Sequence, residues 1–99
     1  VREVRLTPQA IAELADIRRY TRKVWGAGQA DRYLRGLGSR LAEIAAGTAV
    51  TRDAEIGGDY RRCRYEAHII IFKEARDFVR ILHVFHERMD IAQRIDSGE

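Results

Sequence analysis

The stretch Val79-Arg80-Ile81-Leu82-His83-Val84-Phe85-His86-Glu87-Arg88-Met89-Asp90 decides how this chain folds. On strict alternation, Val79, Ile81 and Phe85 share one face, and Leu82 and Val84 share the other. A strand that is apolar on both faces is covered on both, so it is expected inside its sheet, not at an edge. Two imidazoles, a guanidinium and a carboxylate then crowd one end of that strand. They form either a site or a polar strand terminus.

The segments before it complete an α+β pattern. His68-Ile69-Ile70-Ile71-Phe72-Lys73 is a second interior strand of the same kind, turned by Glu66-Ala67 from a polar strand, Tyr60 to Tyr65. The arginines of that strand suit an edge, where charge discourages stray strand pairing. Arg62 and Arg64 fall on one of its faces, and Arg61, Cys63 and Tyr65 on the other. Thr48 to Asp59, with Gly57-Gly58, reads as a polar and mobile loop.

At the front, residues 2–6 alternate as a short strand with Val4 and Leu6 facing together. Thr7 is a good N-cap, and Pro8 follows at the one helical position where its missing N–H costs nothing. Ile11, Leu14, Ile17, Thr21, Val24 and Trp25 then recur near the helical period up to Gly26, which is expected to supply a left-handed exit. A second helix is expected over Gln29–Ala46, closed by Gly47 and antiparallel to the first across a very short link. Gly36 and Gly38 inside it each cost about 1 kcal/mol relative to alanine. Close approach of the backbone to a neighbouring element would repay that. The order is β-α-α-β-β-β: a helical hairpin packed on one antiparallel-rich sheet, a single domain over residues 1–99.

Composition bounds the function. The chain has 99 residues, 45% of them apolar and 33% charged, which suits a folded globular domain. No apolar run approaches the roughly 18 residues of a membrane span, and no signal-peptide pattern is present. The single cysteine, Cys63, forms no internal disulfide; a cytoplasmic setting is expected. Of the net charge of +3, residues 1–50 hold nine Lys/Arg against five Asp/Glu, so the basic surplus lies in the front half. Much of it is Arg18, Arg19, Arg22 and Lys23, a cluster suited to an acidic partner segment or to nothing more than solvent.

Catalytic and cofactor patterns are weak. Gly26-x-Gly28 joins two helices and lacks the strand and Gly-Lys-Ser/Thr of a phosphate loop. His83-x-x-His86 has metal-like spacing only on a helix; on a strand the two point to opposite faces. No metal or cofactor is expected. Cys63 beside arginines invites a lowered thiol pKa, although a passive thiol is the plainer reading. What remains is Arg62, Arg64, His83 or His86, and Arg88, chemically suited to metal-free RNA cleavage if they converge.

The chain also resembles a known family. Leu6-Thr7-Pro8-Gln9-Ala10, Ile17-Arg18-Arg19-Tyr20, Trp25-Gly26-x-x-Gln29-Ala30-x-x-Tyr33, Tyr60-Arg61-Arg62-Cys63, His68-Ile69-Ile70-Ile71-Phe72 and His86-x-Arg88-Met89-Asp90 are similar, in order and spacing, to the ParE branch of the RelE/ParE toxin superfamily. The resemblance runs along residues 4–91. It implies the toxin of a type II toxin–antitoxin pair of the plasmid-stabilisation type, inhibiting DNA gyrase without a catalytic set of its own. It also implies a ParD-like antitoxin in a hetero-oligomer, with operator DNA bound only through that antitoxin. A RelE-type, ribosome-dependent mRNA endonuclease and an inactive antitoxin-binding module are the alternatives. Arg62, Arg64, His86 and Arg88 are the target-binding candidates, and Arg18, Arg19, Arg22 and Lys23 the antitoxin-binding candidates. Two departures from the family pattern stand out: Lys73 where an aromatic is common, and Gly47-Thr48-Ala49 where a proline is common. After Tyr65 the chain has no tyrosine, which several ribonuclease members use in the closing tail.

Overall fold

A computed structural model describes residues 1–88. Strand β1 (Glu3–Leu6) leads through the Thr7 cap into helix α1 (Pro8–Trp25), which Gly26 alone separates from α2 (Ala27–Ala46). Strands β2 (Arg52–Asp53), β3 (Arg61–Tyr65), β4 (His68–Glu74) and β5 (Phe78–His86) follow. The sheet order is β1-β5-β4-β3-β2, parallel only between β1 and β5. Both interior assignments hold: β5 lies between β1 and β4, and β4 between β5 and β3. Ile91 and Ile95 also suit one short helical turn over residues 91–95, which, with Met89 and Asp90, lies outside the described residues.

The Thr7 side chain accepts from the Ala10 amide at 3.1 Å and donates to the Leu82 carbonyl at 2.8 Å, so one residue caps α1 and ties it to β5. Gly47 ends α2 in the left-handed conformation. Gly26 does not: its φ of 96° and ψ of 166° lie in an extended region open essentially to glycine. The chain therefore reverses on one residue, and α2 begins two residues earlier than the periodicity suggests. Arg2 closes the other end of the hairpin, donating to the carbonyls of Ile44 and Ala45 at 3.1 Å each.

The helices cover one face of the sheet. Leu37 and Ile44 from α2 meet Ile70, Phe72, Val79, Ile81 and Cys63 in the main core, all buried. The opposite face carries a smaller cluster, Ile69, Ile71 and Phe85 under Ala54, with Ile56 and Tyr60 packed against it. Two readings change here. The 48–59 connection contains β2, so the first half of β3 is not an edge, and its apolar residues form a lid on the outer face. The alternation of β5 also breaks. Register passes from Phe72↔Ile81 to Ile71↔His83, leaving Leu82 as an extra residue, a β-bulge. Beyond it Val84 joins Val79 and Ile81 on the helix side, while Phe85 and Leu82 face outward.

The two interior glycines of α2 separate cleanly. A Cβ on Gly36 would lie 1.8 Å from the Tyr65 hydroxyl and 2.6 Å from its ring, whereas one on Gly38 meets nothing within 4 Å. Only Gly36 marks a close approach. Gly38→Ala should therefore raise the unfolding free energy by about 0.5–1 kcal/mol through helix propensity. Gly36→Ala should lower it by about 1–3 kcal/mol by displacing a wedged ring. Urea titrations of the two variants should move in opposite directions.

Candidate functional site

The helix stripe read from the sequence is not wholly inward. Ile17 and Thr21 are buried, but Ile11, Val24 and Trp25 are 54%, 48% and 70% exposed, and Tyr20, off the stripe, is 66% exposed. Tyr20 and Trp25 form one wall of a groove of about 560 Å³ between the end of α1, the start of α2 and the β4–β5 end of the sheet. Tyr33, His68 and His86 line it from the other side.

Its polar floor is a stacked cluster. The Tyr33 hydroxyl lies 2.7 Å from His68 Nδ1, and the His68 and His86 rings stand edge to face at 5.5 Å. Burial, and then His86, push His68 below the ordinary histidine pKa, while burial pushes Tyr33 up. Both shifts favour the neutral form, as burial away from water does. Sequence reading missed this pair, because His68 opens a strand and Tyr33 sits 35 residues away on a helix. Only the family-like spacing of Tyr33 after Trp25-Gly26 pointed at it.

Of the candidates for target contact, Arg64, His86 and Arg88 gather around Glu87 at one end of the sheet, and Arg62 stands apart from them. Arg62 and Arg64 lie on the outer face, and His86 faces the helices. Arg64 is bound at 2.9 Å both to the Glu87 carboxylate, which it holds below the usual carboxylate range, and to the Glu66 carbonyl. The Arg88 amide donates to His86 Nδ1 at 3.2 Å, and Arg88 is exposed. His83 is a packed strand residue: it stacks on Phe85 at 4.6 Å, and its Nδ1 lies 3.3 Å from Glu13. The other oxygen of Glu13 accepts the Val84 amide at 2.8 Å, closing the strand edge that β1 leaves open. Burial pushes the Cys63 thiol up, the reverse of what a reactive cysteine needs.

The basic cluster of α1 is partly spent within the molecule. Arg18 pairs with Asp31 at 2.8 Å and Arg19 with Asp16 at 2.6 Å. Arg22 and Lys23 sit in the last turn, where cations complement the helix dipole. Among the described residues no three His, Cys, Asp or Glu side chains group as metal ligands, and no helix is long and apolar enough to cross a membrane.

A helical hairpin on a five-stranded mixed sheet is a fold shared with chains of solved toxin–antitoxin systems. The chain of a solved "Chromosomal ParDE TA system from P. aeruginosa" superposes with a TM-score of 0.75 at 17% identity, covering 86% of this chain and 95% of that one. A chain of the YoeB dimer from Staphylococcus aureus gives 0.61 at 12% identity, covering 86% and 95%. At such identities the likeness is one of fold. The sequence goes further: the family described as "ParE toxin of type II toxin-antitoxin system, parDE" matches residues 4–91. Toxin ParE of Escherichia coli is 37% identical over 92 residues, 91% of this chain and 89% of the relative. Toxin ParE1 of Caulobacter vibrioides is 32% identical over 87 residues, covering 87% and 90%. The chain belongs to the ParE toxin family of type II toxin–antitoxin systems.

Proposed function

We propose that this chain inhibits DNA gyrase in the cytoplasm and is neutralised by a ParD-like antitoxin, an amphipathic segment of which occupies the α1–α2 groove. The observation that carries the reading is family membership, matched along residues 4–91. The groove adds the physics. Tyr20 and Trp25 offer large, rigid apolar surface at its mouth, and Arg22 and Lys23 lie on the same last turn of α1. An amphipathic helix with acidic flanks suits that combination. Arg18 and Arg19, already paired within the chain, are the weaker half of the antitoxin-binding set.

The mRNA endonuclease alternative needed arginines and a histidine around one phosphate. Arg64 reaches the His86 end of the sheet but is held there by the Glu87 carboxylate and the Glu66 carbonyl, and His83 is engaged by Glu13, which weighs against that reading. In a paired assay, antitoxin-free protein should block supercoiling of relaxed plasmid by gyrase, and added antitoxin should restore it. Message in a reconstituted translation reaction should stay intact. Full supercoiling at excess toxin would refute the gyrase reading.

A further inference from the structure

We propose that the outer face of the sheet, opposite the helices, binds the phosphodiester backbone of a nucleic acid along a row of cations formed by Arg5, Arg80 and Lys73. The row follows from register. Arg5 lies beside Arg80 in the β1–β5 pair, and Arg80 lies directly opposite Lys73 in the β4–β5 pair. Three neighbouring strands thus place a cation at the same level, spanning about 10 Å at ordinary strand spacing. Like charges directly opposite destabilise a sheet, so the fold gains nothing from the row.

Nor is the charge fully cancelled. Among the described residues, Arg5 has Glu3 at 2.7 Å, but Arg80 and Lys73 form no ion pair. Aromatic rings hold the cations instead. Arg5 and Arg80 stand 4.0 and 5.3 Å from the Phe78 ring centroid, and Lys73 stands 4.6 Å from that of Tyr60. Such contacts fix the position of a cation without neutralising it. The same face continues the pattern, with Arg52 opposite Arg62. Burial, and then Arg52 and Arg64, press the Arg62 guanidinium below its ordinary pKa against the opposing pull of Glu55.

The choice of nucleic acid over an acidic protein rests on what the face lacks. Protein partners bind through buried apolar anchors, but Ile69, Ile71 and Phe85 are at most 4% exposed, sealed by Ala54 and its loop. Backbone binding to nucleic acid needs only ordered cations. The inference does not rest on the gyrase reading and can fail without it.

Fluorescence anisotropy of the purified toxin with a labelled DNA duplex, a single-stranded RNA and a poly-glutamate peptide tests it. Three phosphate contacts predict about a 40-fold loss of duplex affinity between 50 and 200 mM salt. Lys73→Gln/Arg80→Gln should lower the salt slope by about two, whereas Arg32→Gln/Arg35→Gln on α2 removes the same charge and should leave it unchanged. All four side chains are exposed, and circular dichroism checks that both variants fold. Preference for duplex or for RNA supports the proposal and identifies the source of the backbone. No binding at 50 mM salt, equal losses in the two variants, or tighter binding of poly-glutamate overturns it.

Discussion

Trp25→Ala should weaken the antitoxin complex by about 30-fold or more while leaving the fold of the free toxin intact. A large aromatic at the centre of an interface commonly contributes 2 kcal/mol or more when truncated, and about 1.4 kcal/mol is a factor of ten. Trp25 meets the conditions for such an anchor. It is the last residue of α1, is 70% exposed in the free chain and walls the groove. Because it buries little within the toxin, its loss should not shift the thermal midpoint. Ile11→Ala is the matched comparison: Ile11 is also exposed on α1, at 54%, but lies outside the groove lining. Calorimetric titration with purified antitoxin should separate the two. Equal affinities would remove the groove from the interface.

Phe72→Ala should cost about 3–5 kcal/mol of stability, a large part of the 5–15 kcal/mol typical of a domain. Phe72 is completely buried and sits at the register change, opposite Ile81 in β5 and Arg61 in β3. Its neighbours on the helix face, Ile70 and Val79 among them, are themselves fully buried, so the cavity has little means of collapsing. Urea unfolding should show a lower midpoint with little change in slope. Ile11→Ala again supplies the contrast, since an exposed residue should move the midpoint by less than about 0.5 kcal/mol.

The architecture was legible because most of it is written as periodicity. Pro8–Trp25 repeats near 3.6, β4 and β5 are short runs apolar on both faces, and Thr7, Gly26 and Gly47 punctuate the chain. What periodicity could not show was anything created by a single irregular residue. The break at Leu82 lies inside a run that reads as plain alternation, and β2 is two residues long within a polar loop. The groove was hidden for a related reason. Val24 and Trp25 look like core on a helical wheel, and nothing local says that the sheet ends before reaching them. His68 and Tyr33 meet only after the hairpin and the β4 strand are in place. The basic residues were visible as types; which face each occupies depended on register, and only the folded chain shows Arg64 reaching round to Glu87 beside His86.

The extra residue at Leu82 gives β5 a change of parity. Residues before it keep odd numbers toward the helices, and residues after it keep even ones. Because Phe72↔Ile81 and Ile71↔His83 are consecutive rungs of the ladder, a chain one residue shorter at that point would form a regular strand with every later side chain still on its present face. The same deletion at Val84 or Phe85 would turn the residues beyond it over and carry His86 away from the groove. Length variation among relatives in this strand is therefore expected to gather at one position, where the spacing of the chain can change without rewriting either surface of the sheet.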